Sequence, residues 1–458
     1  MVTRDELPVV VVGAGPVGLA AAAHVLERGL PVVVLEAASS AGAAVASWGH
    51  IRLFSPWRYN IDAACERLLT QAGWDRPDLE VNPTGQQLVQ DYLEPLAALP
   101  DLASRIRYEH RVVGVTRQGA DKSRSLGRER RPYLVRVVRA DGGVVDVLAR
   151  AVLDASGTYG RSNPLGDGGL TARGEATALN AGQVIGPLPD VAGLDRGRFA
   201  GARTLVVGMG HSAANTLLAL VDLAEHDPAT QIVWAIRGGS PRRLYGGGGD
   251  DELPARGLLG SRLREAVESG RVTLVTRVAI DALEPTTSGV RVLGAAREKP
   301  WDVEVDTVVN ATGFRPDLEM LREVRLDLDP VVESPAGLAE LIDPNHHSCG
   351  TVPPHGEALL RHPDEGFYLV GMKSYGRAPT FLLATGYEQV RSIAASLAGD
   401  EAAAADVQLD LPATGVCSTD TTPEAESACC GSSDPAPQPV TLGFASGLAH
   451  GRSSDLLA

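Results

Sequence analysis

Short β-branched runs alternate with helix-period stretches from the beginning of the chain. Residues 8–12 read PVVVV, a pattern that fits a strand buried on both faces of a parallel sheet. The run passes into Gly13-Ala-Gly15-Pro-Val-Gly18, and the following LAAAAHVLERGL repeats its apolar residues at helical spacing and stops at Gly29. A second strand over 31–35 ends in Glu36. The same grammar returns after Phe199, with a strand over 204–207, the turn Gly208-Met-Gly210-His-Ser212-Ala213, an apolar helix, and a strand over 231–236 that ends in Arg237. Between these units the pattern predicts a helix over 86–99, a strand from His110 to Val115 and an exposed hairpin loop over the charged stretch 121–131. Two further hydrophobic strands end in small-residue turns, Asp154-Ala-Ser-Gly157-Thr and Asn310-Ala-Thr-Gly313-Phe-Arg-Pro. A strand and turn over 366–376 and a helix over 379–399 close the folded part.

Strands alternating with helices predict an α/β chain built around two Rossmann-like dinucleotide-binding domains. The length of 458 residues fits two or three domains, at roughly 150 residues each. The formal charge of −15, from 57 acidic against 42 basic residues, repels phosphate backbones and anionic lipid, so neither nucleic acid nor a membrane is an expected partner. Five cysteines, three of them in the last 42 residues, fit neither a disulfide scaffold nor a structural zinc core. The apolar opening stretch follows Asp5 and Glu6 and lacks the basic start of a signal peptide, which makes the cytoplasm the expected location.

The two glycine turns lead to strands with opposite charges at their ends. Gly13 allows the tight turn, Gly15 lets a pyrophosphate approach the backbone, and Gly18 lets helix and strand pack closely, with the helix N-terminus offering free N–H groups to the phosphates. Glu36, 23 residues after Gly13, stands where a carboxylate binds ribose hydroxyls. In the second unit Ala213 takes the close-packing position, and the strand ends in Arg237, with Arg242 and Arg243 nearby. A guanidinium pairs with a 2′-phosphate that a carboxylate would repel. FAD in the first unit and NADPH in the second is the economical assignment.

With these motifs the chain resembles the two-dinucleotide-binding-domain flavoproteins over about residues 8–397, and within them the flavin-containing and N-hydroxylating monooxygenases. GMGHSA followed by Arg237 resembles the family's NADPH-domain pairing, and DTVVNATGFRPD its domain-crossing segment. The redox-active CxxC or CxxxxC of the disulfide reductases is absent, since Cys65 and Cys349 stand alone, and FAGARTL lacks the His of the fingerprint of flavin-containing monooxygenases. The resemblance implies an FAD domain in two parts, 1–195 and 306–399, around an NADPH domain at 196–305; beyond it, the Ala-, Thr-, Ser- and Pro-rich composition of 400–458 predicts a Cys-containing flexible tail. It implies that Trp48, Ser55, Trp57 and Asn60, in the aromatic-rich WGHIRLFSPWRYN, line the flavin and oxygen site, that the backbone at Val112 meets adenine, and that Gly371 holds the ribityl chain, although Met372 replaces the usual acid. Reduction of FAD by NADPH with dioxygen as acceptor then leads through a C4a-(hydro)peroxyflavin to transfer of one oxygen atom to a small N-, S- or metalloid-containing substrate, with Arg52, Arg58 or Asn60 as hydrogen-bond donors at the reacting oxygen. His346, His347 and Cys349 read as a loop over the substrate cleft. Cys417, Cys429 and Cys430 offer three thiolates to a soft ion, and flavin monooxygenases of arsenic-resistance operons are members of the resembled family. Two alternatives stay open: an NADPH-dependent reductase that delivers electrons to the tail thiols or another acceptor, and a non-catalytic flavoprotein that binds a metal or metalloid through its thiols.

Overall fold

The computed structural model describes residues 4–245, 254–343, 352–378 and 381–409, with backbone alone at 5, 243 and 254–257. His346, His347, Cys349, Cys417, Cys429 and Cys430 lie outside the described residues.

The first sheet is built from β1 (Val9–Val12), β2 (Val32–Leu35), β3 (Ile106–Arg107), β7 (Ala151–Asp154) and β16 (Phe367–Leu369), in the order β16-β7-β1-β2-β3 with all pairs parallel. Its central strand β1 has all four residues buried, as a run of β-branched residues covered on both faces requires. The antiparallel strands β4 (His110–Arg117), β5 (Tyr133–Arg139) and β6 (Val144–Ala149) connect β3 to β7. The charged stretch 121–131 joins β4 to β5, as expected of a hairpin loop.

The second sheet repeats this plan. It contains β8 (Val184–Ile185), β9 (Arg203–Val207), β10 (Gln231–Ile236), β11 (Thr273–Thr276) and β15 (Thr307–Asn310), in the order β11-β10-β9-β15-β8. Another antiparallel meander, β12 (Val278–Pro285), β13 (Val290–Ala296) and β14 (Lys299–Val305), joins β11 to β15. Each unit therefore runs glycine-turn strand, second strand, third strand, meander and returning strand. Only the outermost strand comes from a different place in the chain: β8 precedes its unit and β16 arrives from the far end.

The cores follow the same division. Two apolar clusters draw on residues 9–153 and 321–394, whereas two others draw on 165–311. The sheet and core of the inserted unit thus run wider than the 196–305 expected from the motifs, because the two-residue β8 carries no sequence pattern of its own and β15 returns to β9 before the chain crosses. Helix Leu383–Leu397 packs against helix Pro16–Glu27 on one face of the first sheet. Among the described residues no helix is long and apolar enough to cross a membrane.

Candidate functional site

Both glycine turns have the local geometry their spacing predicts. A Cβ on Gly18 would stand 1.9 Å from the Gly13 carbonyl oxygen, and one on Gly208 would stand 2.0 Å from that of Ala311, so neither position accepts a side chain without backbone movement. At Gly15 and Gly210, by contrast, a Cβ would meet nothing within 4 Å. The space beside these two residues, at the N-caps of helices Pro16–Glu27 and His211–His226, is a cradle into which a phosphate can come close to the backbone. Ala213 is fully buried where helix and strand meet. Trp234, which sequence reasoning missed, is also fully buried and donates its indole N–H to the Gly208 carbonyl at 2.7 Å, bracing the second turn from the neighbouring strand.

Glu36 follows β2, and its carboxylate accepts from the Ala14 N–H at 2.6 Å and the Ala38 N–H at 2.8 Å. It is thereby fixed beside the first glycine turn. The segment after it runs alongside the strand of Val112, with the His110 N–H donating to the Glu36 carbonyl. The Val112 side chain packs in the core below, next to a bulge in the β4–β5 ladder. Arg237 and Arg242 are exposed just beyond β10.

The returning strands end in one and the same turn. Asp154 Oδ1 accepts from the N–H of Ser156 at 3.1 Å and its hydroxyl at 2.6 Å; Asn310 Oδ1 accepts from the N–H of Thr312 at 3.2 Å and its hydroxyl at 2.6 Å. Each turn closes on a glycine in the left-handed region, Gly157 at φ +68° and Gly313 at φ +91°. Lys373, a second residue that sequence reasoning missed, is 1 % exposed and donates to Asp154 Oδ2 at 2.7 Å and to Ser156 Oγ at 3.0 Å. It lies two residues after Gly371, whose N–H donates to Gln389 Oε1 at 2.8 Å and which packs against Val17 in the first turn of helix Pro16–Glu27.

A cavity of about 390 Å³ joins these parts. Its wall includes Pro16 from the first turn, His211, Ser212 and Asn215 from the second, Leu382 and Leu383 from the start of helix Leu383–Leu397, and Trp48, Arg52, Ser55 and Asn60 from the aromatic segment. The Phe54 ring stacks at a tilt on His211, with centroids 5.0 Å apart, and so fastens the aromatic segment to the second unit. Trp48 lies against Gly85, where a Cβ would come within 2.8 Å of the indole ring.

The expected donors occupy different places. Asn60 lines the cavity, but its amide donates to the Ser55 and Pro56 carbonyls at 2.8 and 2.9 Å while its oxygen accepts from Ser55 Oγ at 3.0 Å. Both of its N–H groups are committed to the loop, so it shapes the wall rather than offering a donor. Arg58 turns outward to Glu80. Trp57 is 3 % exposed in the hydrophobic core and is absent from the cavity wall, a correction to its expected place, because the turn at 57–59 directs its ring inward. Arg52 lines the cavity, and its Nη1 donates to the Asn82 carbonyl at 2.6 Å.

Cys65 is fully buried and free. Burial, reinforced by the nearby Asp62 carboxylate, pushes its thiol well above the ordinary cysteine value, the opposite of what a redox-active thiolate needs. For Asp62 itself burial acts upward, but His24 at 2.9 Å and the backbone amides that it caps outweigh it and hold the carboxyl below its usual range. Among the described residues no group of His, Cys, Asp and Glu is arranged to hold a metal.

Comparison with known proteins agrees with this geometry. Residues 11–66 match the NAD(P)-binding Rossmann-like domain family. Over 319 residues the chain is 28 % identical to the indole-3-pyruvate monooxygenase YUCCA1 of Oryza sativa subsp. japonica; the match takes in 68 % of this chain and 65 % of that protein. Among solved structures, the bacillithiol disulfide reductase of Bacillus cereus superimposes with a TM-score of 0.63 at 16 % identity, covering 86 % of this chain and 99 % of that one. The FAD-bound cadaverine monooxygenase of Erwinia amylovora does so with a TM-score of 0.60 at 13 % identity, covering 90 % and 99 %. With its paired sheets, two glycine turns and shared cavity, the chain has the fold of the two-dinucleotide-binding-domain flavoproteins.

Proposed function

We propose that the chain is an FAD- and NADPH-dependent monooxygenase acting on a small molecule. The observation that carries this reading is the common opening of both glycine turns, through Pro16 on one side and His211–Ser212 on the other, onto one cavity of about 390 Å³. A flavin held by the first unit and a nicotinamide held by the second would meet there. The cradle at Gly15 fits a pyrophosphate, with Gly13 and Gly18 setting the turn, Glu36 at the ribose, and Gly157 and Gly371 at the flavin end. In the second unit Gly208, Gly210, Ser212 and Ala213 would receive the other dinucleotide, with Arg237 toward its 2′-phosphate.

When bound, the flavin supplies the redox chemistry, taking a hydride from NADPH and passing electrons to dioxygen. The chain's own residues shape and dry the cavity. Trp48 and the inward-facing loop held by Asn60 form its wall, and the start of helix Leu383–Leu397 presents backbone N–H groups that favour negative charge on the reduced ring. Arg52 is placed to donate to an oxygen at the cavity. The burial of Cys65, whose thiol is pushed up, and the lack of a CxxC or CxxxxC spacing in the sequence favour oxygen over a disulfide as the acceptor.

Anaerobic reduction with NADPH followed by rapid mixing with oxygen tests the reading. We expect fast bleaching of the flavin and, with oxygen, a long-lived new absorbance before reoxidation; failure of NADPH to bleach the flavin would exclude both an NADPH-dependent oxygenase and an NADPH-dependent reductase. Arg52→Ala should lower the yield of product per NADPH consumed while leaving flavin reduction intact. A metalloid substrate, suggested by Cys417, Cys429 and Cys430, is tested by titrating arsenite against the full chain and a Cys429→Ser/Cys430→Ser double variant; equal affinity ends that assignment.

A further inference from the structure

Two adjacent strands of the second sheet end level with each other. Ile236 of β10 lies opposite Thr276 of β11, so Arg237 and Arg277 leave the sheet side by side, on the edge where β9 enters the turn at Gly208. The Arg277 N–H donates to the Gly238 carbonyl at 3.0 Å. A Cβ on Gly239 would stand 3.3 Å from Arg277 Nε, which places this guanidinium over the loop that follows β10. Arg277 holds φ at +55°, a left-handed conformation that an arginine adopts at an energetic cost and that is found where surrounding structure or function requires it. Neither Arg237 nor Arg277 has a side-chain hydrogen bond or ion pair among the described residues, whereas neighbouring Arg297 spends Nε and Nη2 on Thr276 Oγ1 at 3.1 and 3.0 Å. No acidic residue occurs in the stretch 237–245.

We propose that Arg277 is the second cation of a 2′-phosphate site, shared with Arg237, and that cofactor choice in this chain is therefore set from two strands. Two guanidinium groups at one strand edge, with no carboxylate partner among the described residues, suit a phosphate monoester that can accept from both. Adenosine carrying only a 2′-hydroxyl would gain nothing from Arg277. The inference rests on the reading that the second unit takes NADPH.

The test is calorimetric binding of adenosine 2′,5′-bisphosphate and of adenosine 5′-monophosphate to the full chain. We expect the unmodified chain to prefer the bisphosphate, Arg277→Gly to lose about tenfold of that affinity with 5′-monophosphate binding unchanged, and Arg277→Lys to retain part of it. Because glycine accepts the left-handed backbone freely, Arg277→Gly should not lower Tm, which separates loss of a phosphate contact from loss of structure. If the unmodified chain prefers the bisphosphate and Arg277→Gly binds it equally well, the role of Arg277 is overturned and the NADPH reading survives. If the unmodified chain binds both nucleotides alike, the NADPH reading falls and this inference with it.

Discussion

Gly15 and Gly18 stand three residues apart in one turn, yet different forces require them. Gly18 is demanded by the protein itself, since a Cβ would overlap the Gly13 carbonyl; Gly15 faces open space and is demanded only by what approaches it. Gly18→Ala should therefore destabilise the apoprotein by about 1–3 kcal/mol, the range for an overpacked interior. Gly15→Ala should leave the apoprotein's Tm unchanged and lower the flavin bound per chain. Thermal unfolding of flavin-stripped protein and the flavin absorbance of purified protein check the two halves. A loss of Tm at Gly15→Ala equal to that at Gly18→Ala would show that both glycines serve packing, and would remove the cradle as support for a bound dinucleotide.

The turns after β7 and β15 show how one element is reused with a different charge. Both take a side-chain oxygen at the strand end, two donors from the residue two positions on, and a glycine that turns the chain, and both strand-end residues are buried, but Asp154 is ionisable and Asn310 is not. A buried carboxylate needs a cation, and Lys373 supplies it from a turn more than 200 residues later. Lys373→Met should therefore cost about 3–5 kcal/mol, as removal of one partner from a buried pair does. Asp154→Asn should reproduce the Asn310 turn but strand the lysine, and the double variant should be more stable than the sum of the single losses predicts. Denaturant unfolding of the four proteins measures that coupling; additive losses would mean that the pair contributes nothing to the turn. The same comparison shows what could be read in advance. Glycine turns, strand-end Glu36 and Arg237, and both small-residue turns were legible because each is fixed within a few residues of chain. Lys373, Trp234 and Arg277 were not, because each acts on a strand it meets only through the sheet. Trp57 misled for a related reason: an aromatic-rich segment announces a site, but which rings face the cavity and which face the core is decided by packing.

At the scale of the whole molecule the two units are alike in plan and unlike in how the chain supplies them. All five strands of the second sheet lie between 184 and 310, its two apolar clusters between 165 and 311, and Arg173 bridges to Ala282 at its border. The first sheet is completed only when β16 pairs with β7, and its core only when helix Leu383–Leu397 covers helix Pro16–Glu27. Contiguity thus predicts different behaviour for isolated pieces. A fragment spanning 164–317 should fold cooperatively on its own and bind adenosine 2′,5′-bisphosphate, because little of its core comes from elsewhere. A fragment spanning 1–163 should stay without fixed tertiary structure, since β7 and helix Pro16–Glu27 would each expose an apolar face, and it should gain structure on addition of a second fragment spanning 318–409. Near-ultraviolet circular dichroism and the sharpness of thermal unfolding distinguish these outcomes. If 1–163 folds alone, the late-arriving β16 and helix only decorate a finished domain; if it folds only with its complement, assembly of the flavin site must wait for the last part of the folded chain, after the second unit has already formed.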